Sequence, residues 1–317
     1  MNSRRDFIRK IILAGGGLSL ANLMSACEFF ENKHPFDFEI SLAQWSLHRA
    51  FFSKKIDPLD FPVVARSQYQ IGAVEYVNQF FMDKAEDMNW LKQLKQRCND
   101  HDVKSVLIMV DEEGPLAEKD DAVRKKAVEN HYKWVDAAKF LGCHSIRVNL
   151  HGDLKDSEED WQKASVDGLG KLVEYAAKAD MNVIVENHGG HSCKGKLLVN
   201  VMKEINSKHV GTLPDFGNFC VRRRDGDMWS SPCVEWYDRY VGTEEMLPYA
   251  KGVSAKSIDF DEAGNETSTD FVKMLKLVKT SSYRGYIGIE YEGERLSEDE
   301  GIRATKKLLE KVREHLR

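Results

Sequence analysis

The sequence lacks several features that would narrow its function at once. Its 317 residues carry a formal net charge of −5 and show no basic stripe, which argues against nucleic acid as a partner. No Gly-x-Gly-x-x-Gly motif follows the first predicted strand, so a dinucleotide site is not indicated. No internal repeat is present, and beyond the amino terminus no apolar run is long enough to span a bilayer. Hydrophobic residues make up 42%, which is enough for a sizeable core.

Cysteine chemistry is also weakly indicated. Five cysteines follow Cys27, no Cys-x-x-Cys pair occurs among them, and their spacing matches neither a zinc site nor a clear disulfide framework. Cys220 and Cys233 are a candidate disulfide pair if the protein is exported. Buried free thiols explain these two residues equally well.

The amino terminus predicts export. Arg4 and Arg5 precede an apolar run over residues 11–23, which resembles a twin-arginine signal, and small residues before Cys27 resemble a lipoprotein cleavage box. We expect a signal over residues 1–27, a linker over residues 28–36, and a periplasmic domain whose only membrane contact is a lipid on Cys27. The alternative is a signal-anchor helix, which the apolar run is short for, since a bilayer needs about 20 apolar residues.

The rest of the chain alternates between strand and helix patterns. Eight strands are predicted, with helical periodicity between them, and the segment over residues 216–242 is expected to be a long irregular insertion. This alternation predicts an α/β fold of a single domain, a parallel (β/α)₈ barrel over residues 37–317; an open doubly wound sheet is the rival. The predicted strands cover residues 38–44, 74–77, 103–109, 144–149, 182–186, 210–215, 252–256 and 286–290.

Polar residues gather where these strands end. Residues 183–190, Val-Ile-Val-Glu-Asn-His-Gly-Gly, run from a buried strand directly into a carboxylate, an amide and an imidazole. The carboxyl ends of the strands of such a barrel meet at one face, where ligands bind. Converging carboxylates repel unless a cation or a proton neutralises them, so these acids predict a hard divalent ion. Singly, each such residue is explained as a helix cap or a solvated group.

Four strand segments carry a family resemblance. Residues 183–186, 213–218 (Leu-Pro-Asp-Phe-Gly-Asn), 253–256 (Val-Ser-Ala-Lys) and 287–290 (Ile-Gly-Ile-Glu) resemble the xylose-isomerase-like barrel superfamily of sugar isomerases and epimerases. The resemblance implies a divalent metal held by Glu186, Asp215 and Glu290. The sequence differs from the family pattern at Ser254 and Asn218, which stand where relatives commonly have histidines. His188 is then either the missing nitrogen ligand or a substrate-binding residue.

These residues predict a site for proton abstraction beside a carbonyl, with the charge of the enediolate stabilised by a nearby cation. Trp45, Trp229 and Trp236 offer apolar faces on which a sugar ring can stack, with ordinary packing as the alternative. The expected cofactor is Mn²⁺, Mg²⁺ or Co²⁺, with Zn²⁺ also compatible. The predicted catalytic residues are Glu186, Glu290 and Lys256; the predicted metal ligands are Glu186, Asp215, Glu290 and His188; and the predicted substrate-binding residues are Trp45, Glu75, Asn149, His151, His188 and Asn218.

The favoured function is therefore a metal-dependent sugar isomerase or epimerase. One alternative is a 3-keto-glycoside lyase or hydratase, which begins with the same proton abstraction but expels a leaving group. A second is a surface lipoprotein that binds sugar without converting it. An endonuclease is disfavoured because no basic groove is indicated and family histidines are missing. A small carbohydrate is the expected partner, and a homo-oligomer remains open.

Overall fold

The computed structural model describes residues 36–317. The predicted signal over residues 1–27, and the predicted linker except its last residue, lie outside the described residues. Phe36–Arg317 forms one compact unit. No helix in this part of the chain is both long and apolar enough to cross a bilayer.

Eight parallel strands with helices between them form a single (β/α)₈ barrel, as predicted. Consecutive barrel strands pair in parallel from the first to the sixth, and the first strand also pairs with the last. The barrel strands are β1 (Glu39–Ala43), β2 (Ala73–Val77), β3 (Lys104–Val110), β4 (Ser145–Val148), β5 (Asn182–Glu186), β6 (Val210–Leu213), β9 (Val253–Ser257) and β10 (Tyr286–Tyr291).

The barrel closes differently between β6 and β9. Pro214 has no N–H to donate and follows β6 directly, so the regular ladder stops there. Isolated bridges replace it, one of which pairs Asp215 with Ser254. The N–H of Phe216 donates to the Ser254 carbonyl at 3.1 Å, and the Ser254 N–H donates to the Pro214 carbonyl at 3.0 Å. This irregular closure carries two residues of the site.

Helices cover the outside of the sheet and begin where the sequence supplies capping side chains. Asp120, Ser157 and Ser297 each accept from a first-turn N–H, and Gly142 ends a helix with positive φ. The helices are α1 (His48–Phe52), α2 (Phe61–Tyr69), α3 (Met88–Asp100), α4 (Asp121–Leu141), α5 (Glu158–Lys178), α6 (Gly195–Ile205), α7 (Arg239–Met246), α8 (Phe271–Thr280) and α9 (Glu298–Leu316).

The prediction of an irregular segment over residues 216–242 was wrong. This segment contains an antiparallel hairpin of β7 (Cys220–Arg223) and β8 (Cys233–Trp236), and α7 begins within it. A Cys220–Cys233 disulfide closes the hairpin. Its strands are short and largely solvated, so they show no hydrophobic alternation by which a sequence pattern would identify them.

Two apolar layers position the site. One lies between sheet and helices, and the other fills the barrel interior with inward side chains such as Val77, Met109, Ile184 and Leu213. Because side chains alternate along a strand, the position two residues after Ile184 also points inward. That position is Glu186, at the carboxyl end of β5. The apolar filling therefore gives way to charged groups at that face of the barrel.

Candidate active site

Three predicted acids converge at the carboxyl face of the barrel. Glu186 ends β5, Asp215 follows β6, and Glu290 lies near the end of β10. All three are buried, and one carboxylate oxygen from each lies within 4.8 Å of the other two. This is an all-oxygen set of the kind that hard divalent ions accept. His188 does not belong to this group of donor atoms.

Asp215 is held by backbone and hydroxyl donors. Its Oδ1 accepts the N–H groups of Gly217 and Asn218, both at 2.8 Å. Its Oδ2 accepts from Ser254 Oγ at 2.6 Å, and that hydroxyl also lies 3.3 Å from Glu290 Oε2. Ser254 has one proton for two acceptors, so the hydroxyl links the acids without satisfying both.

Two buried cations accompany the acids. Arg147 lies inside the barrel between two carboxylates, with Nη1 2.6 Å from Asp111 and Nε 2.9 Å from Glu186. Lys256 Nζ lies 3.1 Å from Glu290 and 2.8 Å from Glu292. Removing either cation would leave buried carboxylates uncompensated, which is strongly destabilising.

The charges remain unbalanced even with these cations. Among residues 36–317, two buried cations, Arg147 and Lys256, accompany five carboxylates, those of Asp111, Glu186, Asp215, Glu290 and Glu292. If all the acids ionise, three negative charges are left over in a largely buried space. Either protons or an added cation must offset them.

The pKa shifts follow from this crowding. Burial raises the pKa of Glu186 well above its ordinary value, with Glu290 and Asp215 adding to the rise and Arg147 opposing it. Burial also raises the pKa of Asp215 to about 6. The pKa of Lys256 lies well above its ordinary value, because the neighbouring carboxylates outweigh the effect of burial. Lys256 is therefore a stable positive charge beside Glu290.

A cavity of about 730 Å³ opens above the cluster. Glu290 and Lys256 line its wall, whereas Glu186 and Asp215 do not. Asn218 lies between Glu186 and the cavity: the Asn218 side chain lines the cavity, and its Nδ2 donates to Glu186 Oε1 at 2.9 Å. Of the two predicted proton-transfer residues, the structure thus places only Glu290 on the cavity surface.

The two predicted histidines form one wall of the cavity. The rings of His151 and His188 stack with centroids 5.8 Å apart, and Trp229 lies 4.6 Å from the His188 ring. Burial lowers the pKa of both histidines, and the charges of Arg147 and Lys256 lower that of His188 further. Both are therefore neutral imidazoles near pH 7. Nδ1 of His188 is buried with no partner among the described residues.

Trp45 and Asn149, which are both predicted to bind substrate, also line the cavity. Asn149 Nδ2 donates to Asp111 at 2.7 Å, which leaves its buried Oδ1 without a partner among the described residues. Glu292 lines the same cavity beside Lys256. Burial raises the pKa of Glu292, but the charge and hydrogen bond of Lys256, with a smaller contribution from Trp45, bring it below its ordinary value.

Glu75 is the predicted substrate-binding residue that the structure places elsewhere. It points into the barrel interior and does not line the cavity. Its Oε1 accepts from Ser41 Oγ at 2.5 Å, and a Cβ at Gly288 would lie 2.7 Å from its carboxylate oxygens. The expectation that Glu75 lies at the carboxyl end of its strand was wrong, because β2 continues to Val77 and Glu75 is its central residue, one layer below the acids.

Arg147 is the main site residue that the sequence reasoning missed. It lies within β4, a short strand that is buried on both faces. A charged residue in such a strand is a signal by itself, because arginine is almost never fully buried unless it is paired. Side chains alternate along a strand, so Arg147 faces the same side as Asn149, two positions later. The prediction of Asn149 at the site could therefore have been extended to Arg147.

A second cavity, of about 700 Å³, lies at the opposite face of the barrel. Glu39, Ala73 and Lys104, which begin strands, line it. None of the three converging acids lies there. In barrels of this type the amino-terminal face serves stability, so the cavity above the acids is the candidate active site.

The family model described as xylose isomerase-like TIM barrel matches residues 67–314. This chain belongs to that family. No curated protein matches the sequence significantly.

Solved structures share the fold of this family member at low sequence identity. The IOLI protein with a bound zinc atom has a TM-score of 0.67 and 13% identity, covering 88% of this chain and 99% of its own. A D-tagatose 3-epimerase-like protein has a TM-score of 0.66 and 18% identity, covering 88% and 98%. The 3-keto-D-glucoside 4-epimerase from E. coli has a TM-score of 0.60 and 12% identity, covering 87% and 100%.

Proposed function

We propose that this family member is a metal-dependent sugar isomerase or epimerase that acts by abstracting a proton beside a carbonyl. The observation that carries the proposal is the convergence of Glu186, Asp215 and Glu290 within 4.8 Å, beneath a polar cavity. A protein that only binds sugar has no need of three buried, mutually repelling carboxylates. Structures of the same fold include a protein with bound zinc and a 3-keto-D-glucoside 4-epimerase, which agrees with this activity.

The residues present fit a divalent ion. The donors are carboxylate oxygens, and the surrounding formal charge is negative even after Arg147 and Lys256 are counted. Glu186, Asp215 and Glu290 would hold the ion, and the oxygen donors favour Mg²⁺ or Mn²⁺, with Co²⁺ and Zn²⁺ also compatible. When bound, the ion stabilises negative charge that develops on a substrate oxygen.

Side chains on the cavity wall transfer the proton, stabilise the negative charge and bind the sugar. Glu290 reaches the substrate and takes the proton, while Lys256, fixed beside it, stabilises the negative charge that appears on the sugar. Asn149 and His188 line the cavity, where a sugar hydroxyl would bind, and each has a buried polar atom without a partner among the described residues. Glu186 is the second proton-transfer group only if Asn218 moves away from it.

Deuterium incorporation tests the proposal. The purified protein is incubated in heavy water with Mn²⁺ and a panel of keto sugars, and incorporation is followed by mass spectrometry. We expect exchange in the wild type, and a loss of about 100-fold or more in Glu290→Gln, which is the usual size of a general-base contribution. Glu235→Gln, on the exposed strand β8, is the matched control and should exchange normally.

Two results would overturn the assignment. Exchange that persists in Glu290→Gln removes this residue from the chemistry. Wild-type protein that neither retains a divalent metal nor exchanges deuterium is a binder and not an isomerase. Release of an aglycone from a 3-keto-glycoside, in place of reprotonation, identifies a lyase that uses the same first step.

A further inference from the structure

The cavity has two aromatic walls. Trp45 follows β1, and Trp229, in the turn of the β7–β8 hairpin, lies over the loop that follows β5. These are the first and fifth of eight barrel strands, so the two tryptophans lie on opposite sides of the barrel mouth. Glu290 lies near the end of β10, which pairs with β1, so Trp45 and Glu290 line the same side of the cavity. Trp45 thus lies on the side of the mouth that carries Glu290, and Trp229 lies on the opposite side.

The wall at Trp229 fits closely against the loop after β5. The Trp229 ring lies 4.6 Å from the His188 ring and 6.1 Å from the His151 ring. Gly189 has a φ of +86°, and a Cβ there would lie 2.7 Å from Met228 Sδ and 3.3 Å from the Trp229 ring. The glycine therefore permits both the turn of the backbone and the approach of the hairpin.

Hydrogen bonds from Arg223 stabilise the hairpin turn that carries Trp229. Arg223 donates from Nε to the Met228 carbonyl at 2.9 Å and from Nη1 to the Ser231 carbonyl at 2.6 Å. The Cys220–Cys233 disulfide closes the base of the hairpin. Trp229 nevertheless keeps 48% of its surface exposed. A large aromatic side chain that is fixed in place, lines a cavity and remains half exposed is the usual form of a ring-stacking surface.

We propose that Trp229, His151 and His188 form a subsite for a second ring, so that the substrate is a disaccharide or glycoside and not a free monosaccharide. Trp229 stacks on the apolar face of that ring, and the imidazoles of His151 and His188, which line the same cavity, bond its hydroxyls. The cavity of about 730 Å³ is in the range that holds drug-sized ligands, which are larger than one hexose. The subsite rests on the proposed function in one respect: the first ring, which reacts, must bind at the three converging acids.

Binding measurements test the subsite without depending on turnover. The probes are cellobiose, maltose and 4-nitrophenyl β-D-glucoside, with D-glucose as the single-ring reference, and affinities are measured by calorimetry. We expect wild-type protein to bind at least one two-ring probe more tightly than glucose. Trp229→Ala should weaken that binding by about tenfold and leave glucose unchanged, while Trp229→Phe restores most of it.

Trp236→Ala is the matched control. Trp236 lies on the same hairpin with 57% of its surface exposed, but it does not line the cavity, so its loss should change no affinity. Thermal unfolding of each variant shows that the barrel is intact. The proposal is overturned if no two-ring probe binds better than glucose, or if Trp229→Ala weakens glucose and two-ring probes equally. A two-ring preference without deuterium exchange refutes the proposed function alone; exchange without the preference refutes the subsite alone.

Discussion

Replacing Glu75 by Gln should change the pH dependence of stability in a way that reports on the barrel interior. The Glu75 carboxyl is fully buried, Ser41 donates to Oε1, and Oε2 has no partner among the described residues. Burial raises its pKa from 4.5 to about 7, with the Ser41 hydrogen bond opposing this and the charge of Glu290 adding to it. Glutamine has the same shape, keeps an acceptor for Ser41, and does not ionise.

The sign follows from the direction of the shift. A pKa raised in the folded state means that the folded protein holds the proton more tightly than the unfolded chain does. The protonated Glu75 therefore contributes its full stability below pH 4.5, and this contribution is lost as the pH rises through about 7. At about 1.4 kcal/mol per pKa unit, the total loss is about 3 kcal/mol, most of it between about pH 5 and about pH 8.

Urea unfolding of wild type and Glu75→Gln, at about pH 5 and about pH 8 with EDTA present, measures this difference. We expect the variant to gain about 2 to 3 kcal/mol on the wild type as the pH rises, because all other titrating groups are shared. Glu86→Gln, at an exposed position, is the control and should show no such gain. Identical pH profiles for wild type and Glu75→Gln would refute a buried, protonated Glu75.

Two further predictions concern the metal and the amino terminus. Ser254→His should place a nitrogen donor beside Asp215 and Glu290 and raise the affinity for Zn²⁺ relative to Mg²⁺, measured by metal competition; an unchanged preference would mean that residue 254 lies outside the ligand set. Cys27→Ala should abolish the labelling of the full-length protein by radioactive fatty acid in bacterial cells, and labelling that persists would contradict a lipid anchor on this residue.

Much of the barrel was predictable because its signals are local. The strand at residues 182–186 has the bounds predicted from its run of β-branched residues, and helices lie between the barrel strands as the helical periodicity predicted. The hairpin over residues 220–236 was not predictable in this way. Its antiparallel pairing and its disulfide depend on contacts across a turn, and its solvated strands carry no pattern.

The candidate site likewise has features that the sequence predicted and features that depend on contacts between distant segments. In a parallel barrel all strands end at one face, so the sequence by itself determined that Glu186, Asp215 and Glu290 would meet. Only the tertiary structure decided which of them faces the cavity, that Arg147 pairs with Glu186, and that Trp229 covers His188. Such contacts depend on the stagger of neighbouring strands and on side-chain packing between distant segments. No local sequence pattern encodes strand stagger or long-range packing. The sequence therefore showed which residue types reach the site, but not which side chains contact one another there.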